Sequence, residues 1–68
     1  MRELNLDRLR TLVTIADLGS FAEAARTLHL APPTVSLHIA DLEALIGAPL
    51  LVRKRGEVRP SGAGEMLV

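Results

Sequence analysis

Gly19-Ser20-Phe21-Ala22-Glu23-Ala24-Ala25-Arg26-Thr27-Leu28, followed by Pro32-Pro33-Thr34-Val35-Ser36-Leu37-His38-Ile39, is the stretch that decides the fold. Ser20-Phe21-Ala22-Glu23 has the S-x-x-E spacing of a capping box. The serine hydroxyl is placed to accept from the Glu23 amide, and the Glu23 carboxylate to reach back to the Ser20 amide. Phe21, Ala24, Ala25 and Leu28 then recur as one buried helical stripe. Pro32 suits the first turn of a new helix, where a missing N–H costs little. Val35, Ile39, Leu42 and Ile46 follow at i, i+4, i+7 and i+11, with Leu45 alongside. Gly47 and Pro49 stop that helix. Two helices joined by the turn His29-Leu30-Ala31 make a helix-turn-helix, a shape that fits the major groove of DNA.

Outward toward the N-terminus, Leu9, Leu12, Val13 and Ala16 fall at i, i+3, i+4 and i+7. They predict a first helix over residues 6–18, capped by Asn5 or Asp7 and closed by Gly19 in the left-handed conformation. Toward the C-terminus, Leu50-Leu51-Val52-Arg53 and Glu57-Val58-Arg59 read as two short strands. Lys54-Arg55-Gly56 is a tight turn between them. Ser61 is placed to cap a fourth helix containing Glu65 and Met66-Leu67-Val68, although Gly62 and Gly64 weaken its start. Its uncapped apolar end is what a piece of a longer chain would show. The fold class is therefore mainly α: a winged helix-turn-helix of three helices plus a two-stranded β-hairpin wing, with the start of a fourth, linker helix. The expected division is a domain over 1–60 and a truncated linker helix over 61–68.

Composition narrows the chemistry. Sixty-eight residues make one small domain, which buries only about 60% of its unfolded surface. The hydrophobic fraction of 49%, with one Phe and neither Trp nor Tyr, gives an aliphatic core. Ala22, Ala24 and Ala25 allow helices to approach closely. With no cysteine there are no disulfides or thiolate metal sites. His29 and His38 are too far apart to make a metal site on their own, and no cofactor is expected. Carboxylates are scattered and no Ser–His pair has a plausible third member, so an enzyme is not expected. No apolar run approaches the roughly 20 residues that span a bilayer, so no membrane partner is expected. The mixed, charged N-terminus is not a signal peptide. Net charge is zero, but its distribution is uneven. Residues 31–52 carry only Asp41 and Glu43. Residues 53–59 carry Arg53, Lys54, Arg55, Glu57 and Arg59, a local excess of positive charge suited to a phosphate backbone.

With the helices and hairpin in order, the residues resemble a family. Leu6-Asp7-Arg8-Leu9-Arg10-Thr11-Leu12-Val13, Gly19-Ser20-Phe21, Ala24-Ala25 and Leu28 are similar to the N-terminal domain of LysR-type transcriptional regulators. So are Val35-Ser36, Ile39, Leu42-Glu43, Gly47, Leu50-Leu51-Val52-Arg53 and Ser61-Gly62-Ala63-Gly64. The resemblance covers about residues 4–64. It implies a cytoplasmic bacterial transcription factor that binds double-stranded DNA in a sequence-specific way. It also implies a homodimer or higher homo-oligomer in the full-length protein, paired through the linker helix. A small-molecule effector would bind a C-terminal domain absent from this chain, which alone is expected to be monomeric or weakly dimeric. The chain departs from the family pattern where the third helix begins. Ala31-Pro32-Pro33 stands where the family has Ser- or Ala-Gln-Pro, and Leu37-His38 where it commonly has Arg or another polar residue, then Gln. Leu51 stands where Phe is frequent.

With the third helix (about 32–46) in the groove, the face presented by Pro32, Pro33, Thr34, Ser36, Leu37 and His38 is the expected reading surface. Thr34 and Ser36 are hydroxyls able to donate to base acceptors or phosphates, Leu37 can meet a thymine methyl, and His38 can donate to guanine N7 or a phosphate. Ser20 opens a helix whose free amides favour a phosphate. Arg53, Lys54 and Arg55 are expected on the DNA backbone or in the minor groove, with a structural pairing of Arg53 to Glu43 as the other reading. The alternative function is a winged-helix module for protein contact without DNA binding, favoured by zero net charge and by the apolar Leu37.

Overall fold

The boundaries of the elements have local causes. In the computed structural model, which describes residues 6–67, α1 spans Leu6–Leu18, α2 Phe21–Leu28 and α3 Pro32–Ile46. Strand β1 spans Leu51–Lys54, β2 Glu57–Pro60, and α4 Gly62–Leu67. Left-handed residues at Gly19, His29 and Gly47 terminate the first three helices. His29 is the unexpected one, because a β-carbon is strained at its φ of 59°. Its amide donates to the Arg26 carbonyl and the Leu30 amide to the Ala25 carbonyl, closing the last turn of α2. Asn5, one of the two expected caps of α1, lies outside the described residues, as does Val68. Asp7, the other, sits inside the helix, and its carbonyl accepts from the Thr11 hydroxyl at 3.0 Å.

Half of the expected capping box forms. Ser20 Oγ accepts from the Glu23 amide at 3.1 Å. The Glu23 carboxylate does not return to the Ser20 amide; it takes the Arg26 guanidinium one turn along the same helix. An exposed carboxylate with a cation three residues away has a partner that needs no tight backward turn.

Leu12, Ile15, Ala24, Ala25, Val35, Ile39, Leu42, Leu50 and Val58 form the buried core, drawn from three helices, β2 and the residue before β1. Ala24 and Ala25 are buried as expected of close-packed helices, whereas Ala22 is exposed. On α3, Val35, Ile39 and Leu42 hold the expected seam, while Ile46 at the last turn is exposed. On α1 the buried face is rotated from the expected one. Thr11, Leu12 and Ile15 are buried, and Leu9, Val13 and Ala16 only half-buried. α1 is packed against α2, α3 and β2 together, so its covered surface is wider than one stripe and includes a threonine.

The wing is a hairpin with Leu51 paired to Pro60, Val52 to Arg59, Arg53 to Val58 and Lys54 to Glu57. The two loop residues, Arg55 and Gly56, both have positive φ, at 51° and 78°. That is the pattern of a type I′ turn, whose twist matches a two-stranded ribbon. β2 is tied to the helices by the Val58 amide, which donates to the Gly19 carbonyl at 3.1 Å. α4 begins at Ser61, whose hydroxyl donates to the Pro49 carbonyl at 2.6 Å and accepts from the Gly64 amide at 3.1 Å.

Candidate nucleic-acid interface

The outer face of α3 and the inner face of the wing enclose an open cleft of about 300 Å³. Ser36, Ala40 and Glu43 stand on one wall, Arg53 on the other, and Phe21 of α2 contributes between them. Two expected site residues, Ser36 and Arg53, are thus brought together across the cleft. Residues paired across a hairpin share a face, so Arg53 projects on the same side as its buried partner Val58, toward α3. The expected alternative for Arg53, an ion pair with Glu43, does not form. Glu43 Oε2 accepts instead from the Leu50 amide at 2.9 Å, holding the segment that enters β1.

Charge is distributed unevenly among the described cations. Arg8 pairs with Asp41 at 2.9 Å, Arg26 with Glu23, and Arg59 with Glu57 at 2.9 Å. Arg10, Arg53, Lys54 and Arg55 make no ion pair among the described residues, and three of those four are consecutive on the wing. All three wing cations are exposed. Lys54 and Arg55 lie at the tip, and Arg53 faces the cleft.

On α3, Pro32, Pro33, Ser36 and Leu37 are exposed and Thr34 is half-buried. The helix start offers few free amides. Two prolines carry none, and the Thr34 and Val35 amides both donate to the Ala31 carbonyl, at 2.9 and 3.3 Å. The start of α2 differs, since Ser20 caps through its oxygen and keeps its own proton for an external acceptor. Ala40 is exposed between Ser36 and the wing. It was not among the expected site residues, although successive steps of about 100° put it on the same face as Ser36 and Leu37.

His38 is placed differently from the other reading-face residues. It is half-buried, and its Nδ1 lies 2.9 Å from Thr11 Oγ1 on α1. The Thr11 hydroxyl already gives its single proton to the Asp7 carbonyl. Its oxygen can therefore only accept from the ring, so Nδ1 carries the hydrogen. One turn along, Arg8 Nε and Nη2 grip Asp41 Oδ2 at 3.0 and 2.9 Å. Thr11–His38 and Arg8–Asp41 together clasp α1 to α3 and set the angle at which the outer face is offered. Among the described residues no group of His, Asp and Glu is arranged to hold a metal ion, and no helix is long and apolar enough to cross a membrane.

This architecture is shared with known proteins. Residues 6–65 match the model of the bacterial regulatory helix-turn-helix protein, lysR family. The nitrogen assimilation regulatory protein nac of Klebsiella aerogenes is 42% identical over 64 residues, covering 94% of this chain and 21% of that protein. The chain thus spans about a fifth of the length of such relatives. Among solved structures, the BenM DNA-binding domain in complex with catB site 1 DNA superposes with a TM-score of 0.86 at 33% identity, covering 93% of this chain and 70% of that one. Full-length LysG of Corynebacterium glutamicum with bound effector Arg superposes with a TM-score of 0.86 at 38% identity, covering 94% and 22%. With its three helices, hairpin wing and short fourth helix in this order, the chain belongs to the LysR family of bacterial regulatory helix-turn-helix proteins.

Proposed function

We propose that this chain is the DNA-reading domain of a cytoplasmic transcriptional regulator and binds double-stranded DNA without catalysing a reaction. The observation that carries the reading is the pairing of an uncharged, convex helix face with an adjacent run of unpaired cations. α3 enters the major groove with Pro32, Pro33, Thr34, Ser36 and Leu37 toward the DNA. Arg53 follows the strand that runs between helix and wing, and Lys54 and Arg55 reach the backbone or minor groove beyond it. Ser20 donates to a phosphate at the start of α2. His38 acts from behind, by orienting α3. The face carries no Arg, Lys, Asn or Gln, so bidentate base pairing is not its mode. DNA shape and bridging water supply a larger share of selectivity. In the whole regulator, we infer, α4 leads into the helix that pairs subunits, and an effector is bound by a C-terminal domain.

Electrophoretic shift on bacterial promoter DNA against salt tests this. Binding should appear at about 50 mM salt and weaken steeply as salt rises, because each neutralised phosphate contributes about 0.9 to the log–log slope. Simultaneous reversal of Arg53, Lys54 and Arg55 to Glu should abolish it. Binding that survives the reversal would refute the wing's assignment. No binding at protein concentrations above the ~10⁻⁴ M nonspecific range would refute the function.

A further inference from the structure

We propose that Leu37 and Ala40 form a methyl-reading patch, which selects the C5-methyl group of a pyrimidine at neighbouring base pairs in the major groove. This deepens the DNA-binding reading above and rests on it. Measured round the helix from the buried Val35, Ala40 lies at about 140° and Leu37 at about 200°, straddling the point opposite the core. The core residues Val35, Ile39 and Leu42 confirm where that opposite pole must be. Leu37 is 59% exposed and Ala40 is exposed as well. The hydroxyls stand to either side: Ser36 at about 100°, on the cleft with Arg53, and Thr34 at about 260°. A helix lying in a groove turns its pole to the base edges and its flanks to the phosphate walls. Here the flanks are polar and the pole is apolar.

The floor of the major groove offers one apolar feature, the methyl at C5 of thymine, which 5-methylcytosine also carries. A leucine facing any other base edge would strip water from donors and acceptors without replacing their hydrogen bonds. The three wing cations beside this pole make no ion pair among the described residues and so favour a polyanionic partner over an apolar protein surface. Leu37 and Ala40 are three residues apart on the helix, a separation of about 4.5 Å along the axis. That spans one to two base-pair steps of about 3.4 Å, so the two methyl groups should lie on adjacent or next-adjacent pairs.

The test begins with selection of bound duplexes from a random DNA pool by this chain. Each thymine of the selected site is then replaced singly by deoxyuridine, which differs only in lacking the methyl. Affinity should fall about fourfold at one or two clustered positions, as for one methyl-sized group left in water. At those positions 5-methylcytosine should bind better than cytosine, which separates methyl reading from a preference for the thymine carbonyl. In Leu37→Gln the deoxyuridine penalty should vanish at one position while the salt slope stays unchanged. Far-UV circular dichroism verifies that this exposed substitution leaves the fold intact. Equal affinity for thymine and deoxyuridine at every position would overturn the proposal but leave DNA binding standing, as would a penalty that persists in Leu37→Gln. Failure to bind any duplex would overturn both.

Discussion

Replacing Gly64 by Ala should destabilise the domain, whereas the same replacement at Gly62, two residues earlier in the same helix, should not. A β-carbon built at Gly64 lies 2.1 Å from the Leu50 carbonyl oxygen and 3.3 Å from Pro60 Cβ. One built at Gly62 meets nothing within 4 Å. Ordinary carbon–oxygen contact begins at about 3.3 Å, so α4 and Leu50 must separate by more than about 1 Å. Leu50 has little freedom to yield. It is buried, its amide is held by Glu43 at 2.9 Å, and its carbonyl accepts from the Ser61 amide at 2.9 Å. The shift therefore breaks the Ser61–Leu50 bond, worth about 0.5–1.5 kcal/mol, and adds overpacking strain of about 1–3 kcal/mol. Alanine's helix propensity returns at most about 1 kcal/mol. The net loss is about 0.5–3.5 kcal/mol, a fall in Tm of about 4–8 °C for each kcal/mol in a domain of this size. Gly62→Ala should instead gain about 0.4–1 kcal/mol by restricting the unfolded chain. Thermal and urea melts followed by circular dichroism read both. A Tm for Gly64→Ala equal to or above the wild type would refute the close seating of α4 on Leu50.

Three further outcomes are expected. His29→Gly should stabilise the domain by about 0.5–1 kcal/mol in urea melts, since it relieves a left-handed β-carbon at φ 59°; a loss of stability would show that the side chain does more than close the turn. Nitrogen NMR shifts of neutral His38 should report hydrogen on Nδ1. Thr11→Val should release that preference and cost about 0.5–1.5 kcal/mol, and an unchanged tautomer would contradict the α1–α3 clasp. Ala substitution of Arg53, Lys54 or Arg55 should each lower the salt slope of DNA binding by about 0.9. Arg59→Ala should barely change it, because Arg59 already pairs with Glu57; equal slopes for all four variants would refute the distinction.

Much of the fold is legible in the sequence because its boundaries have local causes. The Ser20 hydroxyl, the prolines at 32 and 33, and the glycines at 19 and 47 act within one helical turn, so their effects do not depend on what packs above them. The wing follows likewise from Arg55-Gly56, and the positive patch on it from a run of adjacent residues. What tertiary structure decides is which neighbour each side chain finds. Periodicity orients a residue on its own helix but not toward another. Thr11 of α1 and the half-buried His38 of α3 meet at 2.9 Å, a partnership that neither helix's periodicity specifies. Among the described residues Arg53 makes no ion pair, and Glu43 accepts from the Leu50 amide. Gly64, which by sequence only weakens a helix start, is needed because Leu50 passes beneath it. Sequence alone determined the helix-turn-helix and its charged wing, since backbone capping and turn formation act over a few residues. Only the packed structure decided the angle at which the third helix is held and the partners of Arg8, His38 and Glu43, because Arg8–Asp41, Thr11–His38 and Leu50–Glu43 join segments that are separate in the sequence.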